Sequence, residues 1–388
     1  MIPSFNENDK NLNAIVVVGY NRINSISRLL NSLKKALYSS QVPLIISIDK
    51  SDCIELYKFV KDFSWEYGNK YVIIHERRLG LKNHIYFCGD LTKYFKSITI
   101  LEDDIYVSPY FYNYINQMVE KYGNDKNVAG ISLYKNEYSG FNNLPLTFLK
   151  NGYDVFAYQS TSTWGETFTY NMWKDFKTWL SSFKEDFTNI DMYNEIKAWD
   201  RAWSKYYEAY IIDTNKYFIY PYTSYTTNFN DPGTHVTIDT INNSYQVELV
   251  YGERKLKLPD FNQLLKYDTY AQCILLKDIY LGKNIGIDLY GIRENINKYQ
   301  YLLTTRELPY KIIKKYGIRL RPIELNILEN IEGDGIYLYD LNESTEGNTF
   351  ISMDRYFLEY YLKSFSVKLL KLKFKLIIYD KIKKLFNF

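Results

Sequence analysis

The stretch "SITILEDDIYVSPYF", residues 97–111, decides how this chain is read. A β-branched and apolar run, Ile98 to Leu101, passes without a break into Glu102, Asp103 and Asp104. The run has the length and composition of a strand buried on both faces. Three adjacent carboxylates repel one another unless something positive sits among them. In open α/β sheets the crevice beyond the carboxyl ends of the strands is where ligands bind. Carboxylates there are hard oxygen ligands for Mn2+ or Mg2+, ions commonly held by one or two protein carboxylates plus substrate phosphates. The triplet therefore predicts a divalent ion carrying a diphosphate; the plainer alternative is a solvated acidic loop.

Working outward, "AIVVV" (14–18), "PLIISID" (43–49) and "YVIIH" (71–75) read as three more buried strands. Between the first two, Ile23, Ile26, Leu29, Leu30, Leu33 and Leu37 recur at helical spacing, with Asn24 or Ser25 as N-cap. After the triplet, Ser108-Pro109 reads as cap and first helical position, ahead of the apolar face Phe111, Ile115, Met118 and Val119. Strands alternating with helices predict an α/β fold, Rossmann-like, with a mostly parallel sheet flanked by helices. The polar residues just past each strand then form one candidate site: Asn21 and Arg22, Asp49, and Glu102 to Asp104. His84, in "RRLGLKNHIYFCGDL", is placed to join them or to be a packed histidine. Arg22 and Asp49 have a surface ion pair as their alternative.

Bulk properties narrow the function. Hydrophobic residues make up 46% of the 388, enough for a normal core, and the formal net charge of +3 does not point to nucleic acid. Cys53, Cys88 and Cys273 form no CxxC pair, which argues against a disulfide framework or a structural zinc site. Three histidines, His75, His84 and His235, exclude a His-rich metal centre. The N-terminus lacks a signal-peptide layout, and no apolar run reaches the roughly 20 residues needed to cross a bilayer. The expectation is a cytoplasmic protein. Its basic amphipathic end (353–388) contains "VKLLKLKFKLIIYDKIKKLF", which would either lie on an anionic membrane surface or pack on the body.

The turn after the first strand, "VVVGYNR", has a single glycine, and neither GxGxxG nor GxxxxGK[ST] occurs. This disfavours a dinucleotide enzyme and a P-loop NTPase, and leaves a nucleotide-sugar held by metal and Arg. "VVVGYNR…IISIDKSD…LEDDIYVSPYF" resembles the GT-A glycosyltransferase pattern, more narrowly the N-acetylglucosaminyltransferase I group. "STSTWGETFTYNMWKDF", "AWDRAW" and "PYTSYTTNFNDPGTH" are similar to later segments of that family in the same order, so the resemblance covers roughly residues 14–240. Bacterial surface-polysaccharide glycosyltransferases look closer still.

The resemblance implies roles by position. Asp104 would bind the metal, Asp103 the ribose, and Glu102 would support them. Asp49 would meet uracil with His84 beside it, and Arg22 the base or diphosphate. Gly233 would be the hinge of a closing loop in which His235 touches phosphate or caps a turn. Inverting transfer needs a general base, and Asp200 or Glu166 is expected to supply it. In the family the base is the second of two adjacent acids, where this chain has Arg201. Trp164, Trp199 and Trp203 are expected on the acceptor side, the last two one helical turn apart, unless they are core.

The implied activity is metal-dependent, inverting transfer from a UDP-sugar, GlcNAc-like, to a glycan or lipid-linked glycan in bacterial surface polysaccharide synthesis. The rivals are a sugar-phosphate nucleotidyltransferase and a non-catalytic carbohydrate-binding protein. The catalytic domain is expected over 1–250, with a nucleotide-sugar half (about 1–130) and an acceptor half (about 131–250). A smaller C-terminal appended region without assigned role follows over 251–352.

Overall fold

A computed structural model describes residues 2–200, 202–233, 245–280, 283–345, 352–353, 359–361 and, within 367–378, all but 369, 373 and 376. The chain divides into two units, one running to Asp278 and including Ile292–Glu294, the other formed by Ile279–Gly291 and the chain from Asn295. Residues 251–278, expected in the appended region, thus pack with the first unit.

The first unit is built on β1 (Asn13–Gly19), β2 (Leu44–Ile48), β3 (Lys70–Ile74), β4 (Ser97–Glu102), β5 (Ile105–Val107), β6 (Val128–Ser132), β7 (Val155–Tyr158), β8 (Glu166–Thr169), β9 (Tyr217–Pro221), β10 (Thr226–Asn228) and β11 (Lys266–Tyr267). Nine of these form one sheet in the order β11-β7-β9-β6-β8-β4-β1-β2-β3. The β4-β1-β2-β3 part is wholly parallel, as the continuous apolar runs predicted. β8 runs antiparallel between β4 and β6, and β7 antiparallel to β9. The sheet is mostly parallel and flanked by helices on both faces. β5 and β10 pair antiparallel beside it, with Ile105 opposite Asn228.

The helices of this unit are α1 (Ile23–Lys34), α2 (Ile54–Asp62), α3 (Gly80–Asp90), α4 (Phe111–Tyr122), α5 (Tyr170–Ser182), α6 (Asn194–Ala198), α7 (Trp203–Asp213) and the short α8 (Leu275–Asp278). α1 buries Ile26, Leu29, Leu30 and Leu33 in one cluster with Ile15, Val17 and Leu101 from the sheet. Two expected boundaries move. The N-cap of α1 is Arg22 rather than Asn24 or Ser25, and Leu37 lies beyond the helix, exposed. Ser108 does not cap α4 directly: its Oγ accepts from the Tyr110 amide (3.1 Å) and donates to the Val250 carbonyl, and the helix begins at Phe111.

In the second unit, four strands are ordered Ile285–Asp288, Tyr301–Thr304, Gly335–Ser344, Tyr310–Gly317. Among the described residues no helix is long and apolar enough to cross a membrane.

Candidate active site

The acidic triplet lies where β4 ends, next to the end of β1, and Val18 pairs in register with Glu102. The chain leaving β1 turns into α1 at Arg22. As N-cap, Arg22 stands at the mouth of the crevice, and its guanidinium reaches back over the triplet. Its Nη2 donates to Asp103 Oδ1, its Nε to Asp103 Oδ2 at 3.2 Å, and Nη2 also reaches Asp104 Oδ2 at 3.2 Å. A positive side chain of this protein thus sits among the carboxylates. Burial works against the charge of Arg22, and the two aspartates outweigh it, so the guanidinium is held ionised.

The carboxylates differ in setting. Asp103 is buried, which pushes its carboxyl up to about 6 against the pull of Arg22. Glu102 is raised to about 8, by burial first and by Asp104 and Asp103 next. Glu166 on β8 pairs in register with Ile100, so it shares a sheet face with Glu102 two residues further on. It is fully buried, and neither carboxyl oxygen has a hydrogen-bond partner among the described residues. Burial and then Glu102 hold it well above the usual carboxylate range. A group buried this way stays protonated rather than accept an uncompensated charge.

Asp49, one residue beyond β2, is committed to its surroundings. Oδ1 accepts from the amides of Lys50 and Leu79 (both 2.8 Å) and Oδ2 from that of Gly80 (2.9 Å). It thereby anchors the amino end of α3, leaving about one of a carboxylate's four acceptor positions for a ligand. His84, on α3, is the packed histidine of the two readings. It is buried, its Nε2 lies 2.7 Å from Ser47 Oγ, and burial with His75 nearby lowers it to about 4. Neutral and turned into the sheet, it fastens α3 to β2.

The opposite rim is the segment following β10. Phe229 donates its amide to the Asp104 carbonyl (2.9 Å). Arg28 from α1 lies over the Phe229 ring at 3.8 Å and pairs with Asp231. Gly233 lies against the Arg22 guanidinium, where an added Cβ would sit 3.1 Å from Nη1. His235 is outside the described residues, as is Arg201. Sequence reasoning missed Arg28 and Asp231, because their meeting depends on the β5–β10 pairing that brings residue 231 to α1.

The three tryptophans do not form one wall. Trp164 is partly buried and meets Tyr134 edge-on at 4.7 Å and Tyr245 at 4.9 Å. Trp203 is buried, against Tyr207 in α7. Trp199 is 39% exposed. It ends α6 in an extended conformation, so it and Trp203 are not a turn apart on one helix. Asp200, exposed, lies in the bend between α6 and α7. Lys205 of α7 donates to the Trp199 carbonyl at 2.9 Å and steadies that bend.

Among the described residues no three histidines, thiols or carboxylates converge to hold a metal by themselves. The donor set fits instead an ion that brings ligands of its own. Asp103 and Asp104 offer hard oxygens at the crevice.

Protein-family models and curated proteins give no match to this chain. Among solved structures, residues 1–349 of S. aureus TarS are similar at 13% identity and TM-score 0.36, over 55% of this chain and 60% of that one. The same protein in complex with UDP-GlcNAc gives 13% identity and TM-score 0.38, over 59% and 62%. The mannosyltransferase PcManGT of Pyrobaculum calidifontis, in complex with GDP-Man and Mn2+, gives 12% and 0.35, over 55% and 58%. The match spans about three-fifths of the length of each of these structures.

Proposed function

We propose that this chain is a GT-A glycosyltransferase that uses a divalent ion and a nucleotide-sugar. The carrying observation is the placement of Asp103 and Asp104 with Arg22 at the carboxyl ends of adjacent parallel strands, without a glycine-rich phosphate cradle. Asp104 would ligate Mn2+ or Mg2+, Asp103 would take the ribose or the ion, and Arg22 the diphosphate. The ion would neutralise charge developing on the departing diphosphate. Asp49 would offer its one free acceptor position to the base. UDP is the nucleotide we favour, with a GlcNAc-like sugar.

Inverting transfer breaks the bond from the anomeric carbon to the diphosphate oxygen and forms one to the acceptor oxygen, whose proton passes to a base. Asp200 is our assignment for that base, because it is exposed in a bend that Lys205 holds. Glu166 is fully buried, with its carboxyl held well above the usual carboxylate range, so we do not assign the base to it. The acceptor would meet Trp164 and Trp199, whereas Trp203 is core. We take the acceptor to be a bacterial surface glycan, lipid-linked, and the C-terminal segment to rest on the membrane that carries it.

Calorimetric titration of UDP with and without Mn2+, on the wild type and on Asp104→Asn, tests this reading. UDP is expected to bind only with the ion, and the substitution to weaken it at least tenfold. A protein that binds glycans through Trp164 and Trp199 yet takes no nucleotide under any metal condition would be the carbohydrate-binding rival instead.

A further inference from the structure

We infer that Arg22 makes this site refuse a free divalent ion and accept one only together with a diphosphate. This rests on the nucleotide-sugar reading and adds a selectivity to it. Three observations carry the inference. Arg22 spans both Oδ atoms of Asp103 and also reaches Asp104, so one guanidinium closes the carboxylates that would receive the ion. Glu166, which shares a sheet face with Glu102, is fully buried and so does not present its carboxyl as a substitute ligand. No third donor among the described residues completes a metal site by itself.

A free ion must therefore displace a planar, permanently charged group that matches carboxylate geometry, and must then share the crevice with it. A displaced Arg22 gives up its bonds to both aspartates and finds no free carboxylate next to it at this rim among the described residues. Arg28, the other cation at this rim, already pairs with Asp231, and Gly233 lies against the guanidinium on the remaining side. A diphosphate changes the balance. It brings oxygen ligands for the ion and a second anion for the guanidinium, so Arg22 exchanges one partner for another. Ion and nucleotide then raise each other's affinity by the same factor, as linkage demands.

The selectivity is read by titrating Mn2+ alone into the full-length wild type, Arg22→Gln and Arg22→Lys, then repeating each titration in saturating UDP. Arg22→Gln is expected to bind Mn2+ alone about tenfold more tightly than the wild type, within the usual range of such couplings. In the same variant, the factor by which UDP strengthens Mn2+ binding should shrink by a similar amount. Arg22→Lys, which keeps the charge and loses the fork, should fall between them. Melting curves without metal serve as the folding control, and added Mn2+ should raise the midpoint of Arg22→Gln more than that of the wild type. Equal Mn2+ affinities in the wild type and Arg22→Gln would overturn the inference whether or not UDP binds. Tighter Mn2+ binding by Arg22→Gln with no UDP binding by any form would leave Arg22 as a guard of the carboxylates and remove the nucleotide-sugar reading.

Discussion

Glu166 shows how burial governs the chemistry of a single residue. The sequence offered it as an alternative to Asp200 for the general base, whereas burial and Glu102 hold its carboxyl well above the usual carboxylate range. The consequence is a definite pH dependence. In the unfolded chain Glu166 titrates near the ordinary glutamate value of about 4.3. In the folded protein burial and Glu102 hold it well above that. The folded state thus binds the extra proton, and its stability falls as pH rises from the unfolded value toward the folded one. Glu166→Gln removes the titration while keeping size and neutrality. Melting curves from pH 5 to pH 9 should show the wild type losing stability relative to Glu166→Gln as pH increases. Parallel curves would mean that Glu166 is ionised and has found a partner.

At the scale of elements, the bend between α6 and α7 is where Asp200 is presented, and Lys205 is its internal brace. The ammonium is largely buried, donates to the Trp199 carbonyl at 2.9 Å and lies 4.4 Å from the Phe187 ring centroid. Lys205→Met keeps the stem packing and removes the bond. If Asp200 is the base, kcat should fall about tenfold, which corresponds to ~1.4 kcal/mol, the scale of one net hydrogen bond. UDP affinity with Mn2+ should stay unchanged, since nothing at the triplet depends on Lys205. A loss of UDP binding would show that the bend supports the nucleotide side. The elements legible in the sequence were those whose signal is local. β1, β2 and β4 are continuous apolar runs ending in polar residues, and α1 has its stripe of Ile26, Leu29, Leu30 and Leu33. The antiparallel insertion of β8 was not legible, because four residues, "ETFT", carry no period that separates a strand from a loop. The break between Trp199 and Trp203 was hidden for a related reason: helical spacing in "WDRAW" says nothing about whether a helix runs through it. Asp49, Arg22 and the triplet were legible as strand-end positions. Their partners, the amides at the start of α3 and each other, were set by packing across thirty or more residues of sequence.

At the scale of the whole chain, the first unit includes a distant insertion, and the second offers a surface that the site chemistry does not use. Ile292–Glu294 return to the first unit. There buried Arg293 pairs with Asp191 at 3.1 Å and with Asp268, and Glu294 accepts from the Asn194 amide at the start of α6. In the second unit the described residues within 367–378 are helical. Val367, Leu370, Phe374, Ile377 and Ile378 are exposed at a spacing that places them on one stripe, with Lys368, Lys371 and Lys375 exposed on the adjoining one; Leu372 lies off the apolar stripe. An apolar stripe bordered by lysines suits an anionic lipid surface, where each lysine contributes about 1 kcal/mol. Changing Lys368, Lys371 and Lys375 together to Gln should therefore cost ~3 kcal/mol, or roughly a hundredfold in partition. Co-sedimentation with phosphatidylglycerol vesicles should bring down the wild type and lose it as salt is raised. The triple variant should stay in solution, and its UDP binding should equal that of the wild type, because none of the three lysines belongs to the site. Equal sedimentation of both proteins would show that the lysines do not drive binding. A wild type that ignores anionic vesicles would leave the apolar stripe to a protein partner.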